Sequence, residues 1–287
     1  MVDERLTASE RAAAGRELAT VGDSRIGVGL RDDGLPDIEW CCIDSGWFTM
    51  GSDIHTDPLA SHCETPPHIE FIAQFSMSRY PITYQQYEAF VNDSGYQKRN
   101  HWSKRGWAWR ADKTEPEFGW NNTRWHISNH PIIGVTWFEA YAFTRWLSAK
   151  TGDAIRLPTE AEWEKAARGT DERLFSYEGA FDPGKSNTVE SGIERSSAVG
   201  IFPSGQSPYG VMDMSGNVFE WSTSIWRDHY SHPAASSIEG SHLRVMRGGS
   251  WAKNNVHARA AARSRQKSAF AASDVGFRVV RSVRAGG

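Results

Sequence analysis

The chain has 287 residues with ordinary apolar and charged fractions, enough for one large soluble domain or two smaller ones. Its net charge is −3, so bulk electrostatics give no reason to expect a nucleic-acid partner. Thirteen tryptophans predict wide aromatic surfaces that are either buried or line a groove.

The three cysteines, Cys41, Cys42 and Cys63, indicate a reducing compartment, because an odd count with an adjacent pair makes a poor disulfide framework. Residues 1–19 are charged and rich in alanine, and they lack the apolar core of a signal peptide. No apolar run approaches the length that spans a membrane. We therefore expect a cytoplasmic protein with no membrane partner.

The N-terminal region predicts a helix over residues 7–21, followed by a linker. Thr7 can cap this helix, and Glu10 lies three residues later, at the capping-box spacing. The segment to Pro36 is rich in Gly and Asp and is interpreted as a linker or a loosely packed lead-in. We therefore divide the chain into an N-terminal helix and linker, 1–36, and a main domain, 37–287.

Alternating apolar residues predict strands from Ile38 to Met50 and from His68 to Met77. Three helices with the same start and stop signals follow. Each begins with a threonine that has Glu or Gln three residues later, and each ends at a glycine. The starting pairs are Thr83 with Gln86, Thr136 with Glu139 and Thr159 with Glu162, and the glycines are Gly95, Gly152 and Gly169.

The segment between the first two of these helices contains Trp102, Trp107, Trp109, Trp120 and Trp125. No helical or strand period fits all five. Two interpretations stay open: an irregular segment that packs its indoles on the domain, or the wall of a binding groove.

Residues 209–221 bring several oxygen groups together around a tight glycine turn. Asp213, Glu220 and the backbone near Gly216 and Val218 would suit a hard cation, calcium before magnesium. Asn187 and Thr188 offer further oxygen ligands. A Gly-Asn turn whose acids pair with nearby arginines explains the pattern equally well.

The stretch from Arg247 to Val280 is the one around which we expect the function to be organised. A strand over Leu243–Met246 breaks at Gly248-Gly249, and a second apolar run, Val275–Val280, contains Gly276. Between them lie roughly two dozen small and polar residues, which predict a long surface excursion that takes part in function. From Arg244 onward there are ten Lys or Arg residues and one acid, Asp274. These cations either pair with acids elsewhere in the fold or form a basic face for an acidic partner.

Four motifs in this order, HPIIGVTWFEAYAFTRWL, IRLPTEAEWEKAARG, YGVMDMSGNVFEW and RVMRGGSW…VGFRVV, carry a family resemblance. Over about residues 38–282 the chain resembles the formylglycine-generating enzyme superfamily, also called sulfatase-modifying factors. The resemblance implies an α+β fold of the C-type lectin type, with short strands, about three main helices and much irregular backbone. It also implies calcium ligands at Asp213, Gly216, Val218 and Glu220, and a second calcium site that begins at Asn187 and Thr188.

The chemistry of the family's enzymes has no counterpart in these motifs. Formylglycine-generating enzymes oxidise a substrate cysteine with copper, which two cysteines hold between the RGGS and GFR motifs. Copper(I) requires soft thiolate ligands, and this stretch contains no cysteine, so no copper is expected. The related sulfoxide synthases use iron held by histidines of an additional helical domain, which no segment of these 287 residues resembles. The resemblance therefore favours a non-catalytic module that binds a protein or a small-molecule ligand. The alternatives are a family oxidase with an atypical active site, and an interaction domain whose N-terminal helix docks it to a larger assembly.

The fold also serves as the variable ligand-binding protein of diversity-generating retroelements, in which the randomised positions lie in this same stretch. The corresponding ligand-binding residues here are Trp251, Ala252, Lys253, Asn254, His257, Ser264, Gln266, Lys267, Phe270, Ala272 and Ser273. Arg259, Ala261 and Arg263 resemble the framework between them, and Arg247, Gly249, Trp251, Gly276 and Phe277 are predicted to be scaffold. We expect Lys253, His257, Gln266, Lys267 and Phe270 to be exposed on one surface, with Phe270 as the strongest contact.

Overall fold

The computed structural model describes residues 1–3, 5–232, 234–235 and 237–282, so the last five residues of the predicted main domain lie outside the described residues. The described chain has five α-helices: α1 Ala8–Val21, α2 Tyr84–Asn92, α3 Lys104–Arg110, α4 Trp137–Thr151 and α5 Glu160–Arg168. Its ten strands are β1 Trp40–Ile43, β2 Gly46–Met50, β3 His68–Ile72, β4 Phe75–Ser78, β5 Ile155–Arg156, β6 Phe219–Ile225, β7 Leu243–Arg247, β8 Arg263–Lys267, β9 Val275–Gly276 and β10 Val280–Ser282.

The four helices predicted from capping signals are confirmed, and α1, α2, α4 and α5 each begin with a complete capping box. Only the predicted end of α2 at Gly95 was wrong, because this helix ends at Asn92 with Asp93 as its C-cap. In α2, for example, Thr83 Oγ1 accepts from the amide of Gln86 at 3.3 Å, and Gln86 Oε1 accepts from the amide of Thr83 at 3.0 Å. Helix α3 was not predicted. Ser103 caps it, with Oγ accepting from the Gly106 amide at 3.0 Å.

The strands form two four-stranded sheets, ordered β1-β4-β10-β5 and β8-β7-β6-β9, and a two-stranded sheet β2-β3. Each continuous strand predicted near the N-terminus is divided in two, because β2 and β3 leave the first sheet to pair with each other over Gly46↔Ile72. Similarly, the predicted strand Val275–Val280 is split between β9 in one sheet and the start of β10 in the other. Strands β5, β6 and β8 were missed by the sequence patterns.

The largest core cluster packs aromatic residues of α2 and α4 against β6, β7 and the last motif. Tyr87 and Phe143 stack with ring centroids 5.5 Å apart, and Phe277 meets both rings edge-on. This interior is therefore assembled from segments almost two hundred residues apart, and it supports one face of the stretch that follows β7.

The segment predicted as a linker packs closely on the main domain. Val28 is fully buried in a cluster with Tyr80 and Val199. Its carbonyl accepts from the Thr83 hydroxyl at 2.8 Å, and the Gly27 carbonyl accepts from Gln86 Nε2 at 3.0 Å. The prediction of a loosely packed lead-in was wrong, because these backbone bonds and the buried valine depend on partners far along the chain. Of the helices in the described ranges, none combines the length and the apolar character needed to cross a membrane.

Candidate functional site

The two ends of the stretch from Gly248 to Phe277 are held rigidly, as predicted for a scaffold. A Cβ atom on Gly249, whose φ is 69°, would lie 2.8 Å from the His257 carbonyl carbon. A Cβ on Gly276 would lie 2.4 Å from the Ile132 carbonyl oxygen. Only glycine allows these two backbone approaches, so both positions are fixed by packing.

The middle of the stretch is interior, which corrects the prediction of a continuous surface excursion. Residues 258–263 are all buried. Arg259 forms two hydrogen bonds of 2.8 Å with the Glu64 carboxylate, and Arg263 Nε donates to Glu160 at 3.0 Å. Because the alanine side chains are small, the backbone can pass through the core, where the buried arginines pair with carboxylates. The predicted framework positions are therefore structural.

The predicted ligand-binding residues fall into exposed and half-buried groups. The exposed side chains are Ala252, Lys253, Asn254, His257 and Lys267, and the half-buried ones are Trp251, Ser264, Gln266, Phe270, Ala272 and Ser273. Phe270 packs against the main core, so the expectation that it stands exposed on the surface was wrong. Packing against the apolar core removes part of its aromatic ring from water.

The two ends of the stretch lie in different surroundings. At the first end, Trp251 contacts Trp125 with ring centroids 5.8 Å apart, and Glu190 Oε1 accepts from the Asn255 amide at 3.0 Å. At the other end, Lys267 and the residues after it face α3. The structure thus brings the C-terminal part of the predicted binding stretch against the tryptophan-rich segment.

A groove lies between α3 and the segment that follows β8. Its larger part has a volume of about 620 Å³ and a smaller part about 290 Å³. Both parts are lined by Trp109 and Ala269, so they lie next to each other. The larger part is further lined by Arg105, Ala108, Phe138, Gly240, Ser241, Lys267 and Ser268, and the smaller part by Glu117, Phe118, Gly134, Thr136, Glu139 and Ala271.

The indoles of the tryptophan-rich segment divide between the core and the groove. Trp102 and Trp120 are buried in the core. Trp107, Trp109 and Trp125 are half-buried, and Trp109 forms part of the groove. Trp109 packs on Phe138 with ring centroids 5.8 Å apart, which gives the groove an aromatic wall.

Charge is distributed unevenly along the groove. Arg105 and Lys267 line the larger part, while Glu117 and Glu139 line the smaller part. Glu139 caps α4 by accepting a hydrogen bond from the Thr136 amide, and it also accepts from the Tyr96 hydroxyl at 2.5 Å. Burial raises the pKa of Glu139. The larger part is therefore apolar and cationic, and the smaller part carries the acidic side chains.

Arg244 is a buried cation beside the groove. Its guanidinium carbon lies 3.9 Å from the Trp137 ring centroid, and it donates to the Thr223 carbonyl at 3.0 Å. It also reaches the hydroxyl of Ser268, a groove residue, at 3.5 Å. Burial lowers the pKa of Arg244 to about 10, and no carboxylate pairs with it in the part of the chain that the structure describes. This charge adds to the positive character of the larger part.

The predicted calcium ligands Asp213 and Glu220 are buried but already bonded. Glu220 accepts from Arg278 at 2.6 and 2.7 Å and from Trp163 Nε1 at 2.6 Å. Asp213 Oδ2 accepts from the Gly200 amide at 2.7 Å, and burial raises the pKa of Asp213 to about 6. A calcium ion that used Glu220 would have to replace these bonds.

The other predicted calcium positions are adjacent in space. The Asn187 carbonyl accepts from the Asn217 amide at 2.8 Å, and a Cβ on Gly216 would lie 2.4 Å from that carbonyl oxygen. Thr188 and Val218 are buried beside them. Within the described residues, no group of three or more His, Cys, Asp or Glu side chains is placed to hold a metal ion. The carboxylates of Asp213 and Glu220 already accept hydrogen bonds from protein donors, so as they stand these residues do not fit a calcium site.

The cysteines do not form a copper site either. Cys41 and Cys42 are neighbours on β1, and burial raises the pKa of the Cys41 thiol. Cys63 lies in a separate short 3₁₀ turn, with its Sγ 3.5 Å from the Ser61 hydroxyl. None belongs to the stretch between β7 and β9, so the thiolate pair required for copper(I) is missing from the groove.

Comparison with known families and proteins agrees with this architecture. The model for the sulfatase-modifying factor enzyme 1-like domain matches residues 36–283. Hercynine oxygenase of Mycolicibacterium smegmatis is 35% identical over 235 residues, which are 73% of this chain and 53% of that protein. The chain thus spans about half the length of that relative.

Two solved structures share the fold. PvdO from Pseudomonas aeruginosa aligns with a TM-score of 0.71 and 26% identity, covering 91% of this chain and all of that one. Treponema denticola variable protein 1 aligns with a TM-score of 0.64 and 21% identity, covering 84% of this chain and 94% of that one. Together they confirm the predicted α+β, C-type lectin-like fold class.

Proposed function

Because the chain belongs to the sulfatase-modifying factor enzyme 1-like family, we propose that it is a ligand-binding member that holds its ligand in the groove between α3 and residues 267–271. The observation that carries this proposal is the meeting of two segments at Trp109 and Ala269. One is the tryptophan-rich segment and the other is the end of the stretch that the family resemblance marks for binding. Ligand pockets are usually concave, mostly apolar and supplied with a few polar groups, as this groove is.

The lining of the groove defines the chemistry of the ligand. Trp109, Phe138 and Ala108 would pack against an apolar or aromatic body. Arg105 and Lys267 would attract an anionic group at one end, and Glu117 would accept a hydrogen bond from a donor at the other. A small molecule, or a side chain and terminus of a protein partner, with an apolar centre and a carboxylate or sulfonate would meet these requirements.

We favour binding without catalysis because the stretch lacks the thiolates on which the copper chemistry of the family depends. The buried alanines and arginines at residues 258–263 act in folding and leave no nucleophile with a base partner there. Ala252, Lys253, Asn254 and His257 are exposed and should tolerate substitution, as a genetically diversified surface requires. The variable protein of Treponema denticola has the same fold, which suits this narrower proposal. A neighbouring reverse-transcriptase gene with a near-copy of the 3′ coding stretch would support it.

The dye anilinonaphthalene sulfonate tests the groove, because it combines an aromatic body with one sulfonate. We expect saturable binding to the wild-type protein, and Trp109→Ala or Lys267→Glu should weaken it by about fivefold or more, equivalent to about 1 kcal/mol. The control is Trp47→Ala, which removes an indole from the exposed apolar face of β2 and β3, where Trp47 meets Phe71 at 5.2 Å. If only the control variant loses the dye, the groove is not the binding site.

A family oxidase with an atypical active site is the second candidate, and similarity to a hercynine oxygenase favours it. Incubation with copper, oxygen and a cysteine-containing sulfatase peptide tests the copper-dependent form of this candidate. Mass spectrometry should show the thiol unchanged, because no pair of thiolates lines the groove. Conversion of the cysteine to an aldehyde would contradict the non-catalytic proposal.

A further inference from the structure

A second cluster, separate from the groove, lies around Trp125, where the tryptophan-rich segment meets the start of the binding stretch. Trp125 contacts Trp251, and two guanidinium groups approach the Trp125 ring. The guanidinium carbon of Arg124 lies 5.0 Å from the ring centroid and that of Arg195 lies 5.9 Å from it. Two cations therefore share one aromatic ring at the surface of the domain.

A third arginine comes from α1. Asn129 Nδ2 donates to the Gly15 carbonyl at 2.9 Å, and a Cβ on Gly15 would lie 2.8 Å from the Ala198 side chain. This close contact packs α1 against the segment that contains residues 195–198, and Arg16 is the next residue of α1. The positive charge of Arg16 acts on Arg195, whose pKa is lowered by burial, by Arg16 and by Arg124.

These arginines differ from the buried arginines of the core. Arg247, Arg259 and Arg278 each donate several hydrogen bonds and pair with a carboxylate. In the described ranges, by contrast, no hydrogen bond or ion pair joins the guanidinium of Arg16, Arg124 or Arg195 to any residue. Like charges without a paired carboxylate repel one another, so this part of the surface carries an excess of positive charge.

Within the described residues, none of the nearby acids forms an ion pair with these three arginines. Glu190 accepts from the Asn255 amide, and Glu17 and Glu194 are exposed to solvent. Beneath the cluster, His130 is fully buried, with Nδ1 3.2 Å from the Ser196 hydroxyl and Nε2 without a partner. Burial and the charges of Arg195 and Arg16 lower the pKa of His130 to about 3, so the imidazole stays neutral and adds no charge of its own.

We propose that Arg16, Arg124 and Arg195 form a binding site for a small molecule that carries a phosphate or pyrophosphate group, beside Trp125 and Trp251. Guanidinium groups present forked donors that match phosphate oxygens, and a multivalent anion would relieve the repulsion among three cations. The indole pair offers an aromatic surface for the rest of the molecule. This site goes beyond the proposed groove and does not depend on it.

Sodium pyrophosphate is the probe, and isothermal titration calorimetry of the full chain at low ionic strength is the measurement. Saturable binding is expected for the wild-type protein. Arg124→Met and Arg195→Met should each raise Kd by about tenfold or more. Arg124 is exposed, so its replacement leaves the fold intact even if Arg195→Met affects stability.

The matched control is Arg145→Met, because Arg145 is also an exposed arginine but lies on α4 away from the cluster. It should bind pyrophosphate as the wild-type protein does. Lack of saturable binding by the wild-type protein would overturn the proposal, and so would equal binding by the Arg124→Met and Arg145→Met variants. Lys267→Glu should leave pyrophosphate binding unchanged, which keeps this test independent of the groove.

Discussion

Arg278 and Glu220 form a fully buried, two-fold hydrogen-bonded ion pair that joins the last motif of the chain to the Gly-Asn motif. Arg278 Nε lies 2.6 Å from Glu220 Oε2, and Nη2 lies 2.7 Å from Oε1. Neither side chain has any exposed surface. Arg278 also donates to the Met212 carbonyl at 2.8 Å and to the Ser78 carbonyl at 3.1 Å, so one guanidinium connects three segments of the chain.

Removal of Glu220 should therefore be severely destabilising. Glu220→Ala leaves the Arg278 charge buried without its partner, and we expect a loss of about 3–5 kcal/mol in the free energy of unfolding. Urea denaturation of the variant and of the wild-type protein measures this loss. The control is Asp153→Ala, which breaks the exposed contact of 3.7 Å with Arg281 and should cost less than about 1 kcal/mol. Equal effects of the two substitutions would contradict a structural role for the buried pair.

Calcium removal should leave the melting temperature unchanged. The oxygens of Glu220 accept from Arg278 and Trp163, so they are not free for a cation. A ligand that binds only the native protein would stabilise it by mass action, and chelation would then lower Tm. Differential scanning fluorimetry with added calcium and with a chelator measures whether Tm differs between the two conditions. A chelator effect that disappears in Asp213→Ala would show that calcium binds here after all.

Substitutions within the binding stretch should separate into surface and core positions. Lys253→Ala and His257→Ala should change stability by less than about 0.5 kcal/mol, because both side chains are exposed. Phe270→Ala should cost about 1–3 kcal/mol, less than a fully buried phenylalanine but more than a surface residue. Chemical denaturation of the three variants tests this order. If Phe270→Ala is as mild as Lys253→Ala, the ring does not contribute to the core.

The pair of His126 and Glu88 should make stability depend on pH. His126 Nε2 lies 2.9 Å from Glu88 Oε1, and this hydrogen bond raises the pKa of His126. The stabilisation is therefore fully present below the unfolded-state pKa of about 6.5 and is lost as the pH rises through the higher folded-state value.

Glu88→Gln should accordingly lower the free energy of unfolding by less than about 1 kcal/mol at about pH 6, because both groups are partly exposed. At about pH 9 the same substitution should have little effect. Thermal melts at both pH values measure the difference. Glu115→Gln is the control, since its partner Asn121, at 2.7 Å, does not titrate. A loss for Glu88→Gln that is the same at both pH values would contradict the charge-based explanation.

The arginines near the C-terminus show why the sequence left two alternatives open. Their number alone allowed either internal pairing or a basic binding face. In the structure Arg259 pairs with Glu64, 195 positions away, and Arg278 pairs with Glu220, 58 positions away. Arg265 instead forms an exposed pair with Asp228. Pairing over such distances depends on the complete fold, and no local spacing reveals it.

The sequence by itself determined the features that depend on neighbours within a few residues. Capping boxes such as Thr136 with Glu139 specify helix starts, because their hydrogen bonds close within one turn. The absence of cysteine from residues 248–277 is likewise a property of composition. Only the tertiary structure decided that residues 258–263 enter the core and that Trp109 meets Ala269 in a groove. Burial and groove formation depend on which distant surfaces pack together, and the polar, alanine-rich sequence of that stretch does not encode its partners locally.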